Sequence, residues 1–187
     1  MAIPFMIFLA AVGAIVVFII VSYNRLVSLT RRSQSAWADV DVQLKRRTDL
    51  APSLVESVRG YASHEHGPLD AVVRARGAAL AAQTRESRAQ AEGQLSQALR
   101  GLFAMAESYP DLKATSTFQS LQASLGEIEE AIQTGRGYFN AVVRDRNTVI
   151  QDFPSNLVAG FFQFRPHACF ELDRPEERQA PTVSFEG

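Results

Sequence analysis

The stretch "FQSLQASLGEIEEAIQTGRGYFNAVVRDRNTVIQDF", residues 118–153, decides the fold. Phe118, Leu121, Leu125, Ile128, Ile132, Phe139, Val142, Val149 and Phe153 recur at alternating steps of three and four. Gly135 and Arg146 fill the two remaining slots of the same series. A half-buried strand alternates every second residue, whereas steps of three and four place one stripe along an α-helix. Sustained over about five heptads, the stripe is an a/d seam of the kind that packs lengthwise against other helices. Pro154 closes it.

Upstream, the same period continues. Leu26, Leu29, Ala36, Trp37, Val40 and Leu44 form one stripe, and Leu54, Val55, Val58, Tyr61 and Ala62 form a new face. Between them "QLKRRTDLAPSLVESVRGY" (43–61) holds three consecutive cations and Pro52. Two readings of this bend are open. Asp49 can cap a new helix with Pro52 in its first turn, where the missing N–H costs no bond, or the helix continues and Pro52 kinks it against the Thr48 carbonyl. In either case Lys45, Arg46 and Arg47 read as a solvated face. "SHEHGP" (63–68) reads as a turn, Leu69–Ala82 as a second helix, and "QTRESR" as a loop or a polar helix face. A third helix runs from about Ala89 through Leu95, Leu99, Leu102, Phe103 and Ala106 to "YPD" at 109–111.

Residues 2–21, "AIPFMIFLAAVGAIVVFIIV", carry no charge. At 1.5 Å per residue they span roughly 30 Å, the thickness of a bilayer core. With no basic residue before the run and Arg25, Arg31 and Arg32 after it, they read as an uncleaved anchor. The positive-inside rule then leaves the amino terminus outside and the rest of the chain in the cytoplasm. Tyr23 sits at the boundary as an interfacial aromatic. Net charge is −1, which gives no indication of nucleic acid as a partner, and Cys169 as the sole cysteine excludes an intrachain disulfide.

Seven of the twelve phenylalanines lie at or after position 139, so the tail is apolar enough to pack. After Pro154 it is expected to wrap along the bundle in extended form. Leu157, Val158, Phe161, Phe162 and Phe164 crowd one short stretch and are expected to make contacts beyond their own bundle, or to cover its open seam.

Few groups suggest chemistry. His64 and His66 flank Glu65 at a spacing of two, whereas a helical zinc motif needs histidines four apart. "HAC" (167–169) offers two metal donors without the rest of a site. Gly135 and Gly137 lie mid-helix, where no phosphate cradle forms. The expectation is therefore no catalytic residues, no cofactor and no metal.

Several blocks, in order, cover nearly the whole chain: "YNRLVSL", "AWADVDVQLKRRTDLAPSLVESVRGYASHE", "YPDLKA", "FQSLQASL", "YFNAVVRDRN" and "FPSNLVAGFFQF". They resemble the signature blocks of the LemA family. Two positions depart from the family pattern, Arg146 where a tyrosine is usual and Ala51 where a larger aliphatic residue usually precedes Pro52. The resemblance implies a bacterial single-pass membrane protein with a helical domain and no established catalytic residues. Participation in building intracellular membrane compartments and a TPM-domain protein as partner are further expectations from it.

The expected architecture is all-α: a transmembrane anchor (1–23), an antiparallel bundle of long helices continuing from it (24–160), and an extended tail packed on the bundle (161–187). The expected function is a non-enzymatic scaffold of the bacterial inner membrane, associating with itself and the lipid bilayer. An adaptor for another membrane protein is the alternative.

Overall fold

The computed structural model describes residues 2–62 and 65–170. His64 and residues 171–187, with the end of the expected tail, lie outside them. The described residues form six helices and no strand: α1 (Ala2–Arg59), α2 (His66–Ala81), α3 (Arg85–Ala106), α4 (Pro110–Lys113), α5 (Ser116–Gln151) and α6 (Ser155–Phe161). The all-α class follows the helical period of the sequence.

The chain divides into two compact units, and α1 and α5 each contribute to both. The first unit holds α1 up to Gln43, α5 from Glu129 and the chain up to Cys169. Its α1 and α5 run antiparallel. Val40 lies against Gly135, the Trp37 and Phe139 rings meet at 5.6 Å, and Arg146 bonds Thr30. Leu26, Val149, Ile150 and Ala159 close a small core at the other end. The seam slot at Gly135 is empty for a reason: a Cβ there stands 2.9 Å from Val40 Cγ2. Of the seam residues only Phe153 is strongly exposed, because α5 stops at Gln151.

The second unit runs from Leu44 to Ile128 and includes Phe170. Here α2 and α3 form a hairpin through residues 82–84. Thr84 caps α3 by accepting from the Ser87 N–H, while Ser87 Oγ accepts from the Thr84 N–H. Pro68 falls in the first turn of α2, where its missing N–H removes no helical bond. The core is built from Leu54, Val58, Val72, Leu95, Leu102 and Leu112 with many alanines.

Helix α1 is continuous through Pro52, so Asp49 starts no new helix. Proline deprives the Thr48 carbonyl of its N–H donor four residues on. Arg76 Nε supplies the missing bond from α2, at 3.0 Å. The buried carbonyl is thus satisfied from a neighbouring element.

Candidate membrane-boundary site

Residues 3–21 of α1 project their side chains outward: Phe5, Phe8, Ile15 and Val17 are among many large apolar groups left exposed. This segment has the length and mean hydropathy, 3.0, of a membrane-crossing helix. Protein cover begins one residue beyond it, at the buried Ser22. The antiparallel register explains why. With Leu26 clustered against Val149 and Ile150, the end of α5 at Gln151 comes level with Arg25, next to the end of the apolar segment.

The chain turns back at this level. Ser155 Oγ donates toward the carbonyls of Val149 (2.7 Å) and Asp152 (3.0 Å), and α6 follows at once. Residues 155–161 are therefore helical, which corrects the extended conformation expected after Pro154. Seven residues are too few to show a period, but their burial is one-sided. Val158 and Ala159 face the core while Leu157 is open.

The helix ends in a Schellman turn. The Phe164 N–H bonds the Ala159 carbonyl at 2.9 Å, the Gln163 N–H bonds Gly160 at 3.2 Å, and Gln163 takes φ 59°. The turn returns Phe164 to the small core beside Ala159. The Phe162 ring packs on Tyr23 with centroids 4.7 Å apart, Phe164 meets Tyr23 at 6.0 Å, and Phe161 stands on Phe162 at 5.1 Å.

Two polar side chains of α5 hold the following segment. Arg146 Nη1 donates to the Arg165 carbonyl at 2.7 Å, and its Nε donates to Thr30 Oγ1 at 3.0 Å. Thr30 Oγ1 in turn donates to the Leu26 carbonyl. Burial pulls the Arg146 guanidinium below its ordinary pKa, yet an arginine so bonded stays charged. Asn147 pairs with the backbone of His167 in both directions, Nδ2 to the carbonyl at 2.8 Å and the N–H to Oδ1 at 3.0 Å. The side-chain amide thus imitates one rung of a ladder. Residues 164–170 form neither helix nor strand.

The five residues expected to reach beyond the bundle or to cover its open seam are divided: Leu157, Phe161 and Phe162 remain exposed, whereas Val158 is a core residue and Phe164 is half-buried on the core. Arg25, Arg31 and Arg32 are all exposed on α1. Arg31 and Arg32 line an open groove of about 690 Å³ with Tyr23, Asn24, Asp39 and Tyr138.

Elsewhere the sequence reading of the cations needs a correction. Lys45 and Arg46 are exposed, but Arg47 is fully buried in the second unit. Its Nη2 donates to Glu92 Oε2 at 2.7 Å and to the Glu92 carbonyl at 3.0 Å. Arg88 Nε approaches Glu92 Oε1 at 3.1 Å, and Thr48 Oγ1 lies 3.3 Å from the same oxygen. A buried charge survives only when paired and hydrogen-bonded, and this one is. The pair joins α1 to α3, with both side chains closed to solvent. Glu65 and His66 are exposed, and no cluster of three or more metal-donor side chains occurs among the described residues.

The profile of the LemA family matches residues 36–185, most of the chain. The protein belongs to the LemA family. This LemA protein is also similar to magnetosome proteins. MamQ 2 and MamQ 1 of Paramagnetospirillum magneticum are each 24% identical over 187 residues, spanning 86% of this chain and 69% of the relative. MamQ of Magnetospirillum gryphiswaldense is 24% identical over 178 residues, spanning 81% of this chain and 65% of the relative. The profile covers residues 44–128 of the second unit and 36–43 and 129–169 of the first, including the Arg47–Glu92 pair and the polar anchors Arg146 and Asn147.

Proposed function

We propose that this LemA protein is a non-enzymatic, membrane-anchored scaffold that associates with further copies of itself and organises or shapes the bacterial inner membrane. The observation that carries the reading is the continuity of α1. One helix of 58 residues begins as an exposed apolar segment and ends in a helical core, so the same element that meets lipid also builds the fold. The polar groups support a mechanical role. Arg47, Glu92, Arg146 and Asn147 are engaged in joining segments, where a catalytic group needs access to a substrate. The similarity to proteins named for the magnetosome favours work on a membrane.

The exposed cations Arg25, Arg31 and Arg32 follow the span, so the amino terminus lies outside and the helical units lie in the cytoplasm. Protease added to intact spheroplasts leaves the units whole under this topology; their digestion refutes it. Light scattering after size exclusion in mild detergent tests the scaffold. A large homo-oligomer, with altered curvature of liposomes seen by electron microscopy, is the expected result. A monomer that leaves liposomes unchanged refutes it and favours the adaptor role, with another membrane protein such as a TPM-domain protein as its partner.

A further inference from the structure

Helix α6 and its flanks leave Phe153, Leu157, Phe161 and Phe162 exposed by 79, 65, 82 and 43% of their surface. Leu157 and Phe161 are one turn apart on the same face, opposite the buried Val158 and Ala159. Large apolar groups gathered on one short segment need an occupant. Three observations identify it. The Phe162 ring packs on Tyr23, two residues beyond the apolar span, which is a rise of roughly 3 Å along the helix. The end of α5, from which α6 turns, is level with Arg25. The face is therefore continuous with a surface of this unit that is exposed and apolar throughout, the outside of residues 3–21. Exposed Arg25 lies two residues after Tyr23, and exposed Arg165 three residues after Phe162, and both suit headgroup phosphates; Asp152, also exposed, directly precedes Phe153.

We infer that the α6 face lies in the interfacial layer of the same bilayer that α1 crosses, with Leu157, Phe161 and Phe162 among the acyl-chain ends. The protein thus holds the membrane at two points, a crossing helix and a short helix lying in the surface. Wedging side chains into one leaflet beside the span is a means of shaping it. This inference rests on residues 2–21 being the membrane anchor, and its test separates the two.

The full-length protein with Cys169→Ser receives a single cysteine by Phe161→Cys, Leu157→Cys, Phe8→Cys or Thr134→Cys. Each is labelled with an environment-sensitive fluorophore and reconstituted in phosphatidylglycerol–phosphatidylethanolamine vesicles. Position 134 is the control. Thr134 is exposed beside Gly135, which opposes Val40, some 17 residues or roughly 25 Å along α1 from Tyr23. Lipids spin-labelled near the headgroup are expected to reduce emission at 161 and 157 about twofold, as for a group buried roughly 5–10 Å into the boundary. Lipids labelled deep in the acyl chain quench position 8, and neither lipid changes position 134. Quenching at 8 without quenching at 157 and 161 overturns the inference and leaves the anchor standing. A blue-shifted but unquenched signal at 161 also overturns it, since a second copy then covers the face. Absence of quenching at 8 removes the anchor and the inference together.

Discussion

Glu92 offers the most exacting test of the second unit, because its carboxylate is wholly buried and faces Arg47 from 2.7 Å. Glu92→Leu leaves the Arg47 guanidinium uncompensated in the core. Breaking a buried pair by removing one partner costs about 3–5 kcal/mol. The lower end applies here, since Arg47 keeps its bond to the backbone carbonyl of residue 92. For a chain of this size each kcal/mol lowers Tm by about 2–4 °C, so a drop of roughly 6–12 °C is expected. The double variant Arg47→Met with Glu92→Leu removes both charges and fills the same space. It should recover most of the loss, because Arg88, whose side chain is 15% exposed, loses Glu92 but keeps its bond to the Ala79 carbonyl. Far-UV circular dichroism of the full chain in detergent gives the melts, and amide exchange across Arg85–Ala106 reports the affected helix directly. A Glu92→Leu protein within about 1 kcal/mol of the parent, or a double variant no better than the single one, refutes the role assigned to the pair.

Three further substitutions probe backbone and packing. Arg76→Met strands the Thr48 carbonyl beneath Pro52 and should cost about 1–3 kcal/mol by urea titration. The cost should shrink in a Pro52→Ala background, where the helix supplies its own donor, and an equal cost in both backgrounds argues against the link. Gly135→Ala drives a methyl against Val40 and should lose about 1–3 kcal/mol despite the better helix former, with Val40→Ala restoring stability in a double-mutant cycle. Gln163→Gly relieves the left-handed residue of the α6 cap and should gain about 1 kcal/mol; a loss in the thermal melt contradicts the Schellman assignment.

The seam of α5 is readable because burial imposes its period on apolar residues, and that period survives without knowledge of the partner. Buried charges break the same rule in a way that the structure makes recognisable. Leu44, Arg47, Ala51, Leu54 and Val58 step by three and four, as do Glu92, Leu95, Leu99, Leu102 and Ala106. Arg47 and Glu92 occupy core slots in these two series, as Arg146 does in α5. Adjacent Lys45 and Arg46 mask the first, since a run of cations resembles a solvated face. That Arg47 meets Glu92 carries no local signal, because the two are 45 residues apart and belong to different helices. Helix α6 escapes sequence reading for another reason. Its seven residues follow a proline and span barely two turns, so neither period nor length distinguishes them from an extended strip.

The placement of the polar residues bears on what this fold can do. Between α2 and α3 the buried side chains include Ala75, Ala79, Ala89 and Ala91 beside a few leucines and valines. Such a smooth surface allows close approach but discriminates poorly between one register and the next. The polar bonds discriminate sharply. Arg88 to the Ala79 carbonyl at 2.8 Å, Arg76 to Thr48 and Arg47 to Glu92 each join fixed addresses on two helices. A slip of any one of these helices by one turn, about 5.4 Å, breaks two of the three and leaves polar groups without their partners. In the first unit Arg146 and Asn147 do the same for the segment after α6, tying Arg165 and His167 to α5. Through that segment they also fix where the exposed face of α6 stands beside the exposed apolar segment of α1. Charge in this protein thus sets position, and what is positioned is an apolar surface.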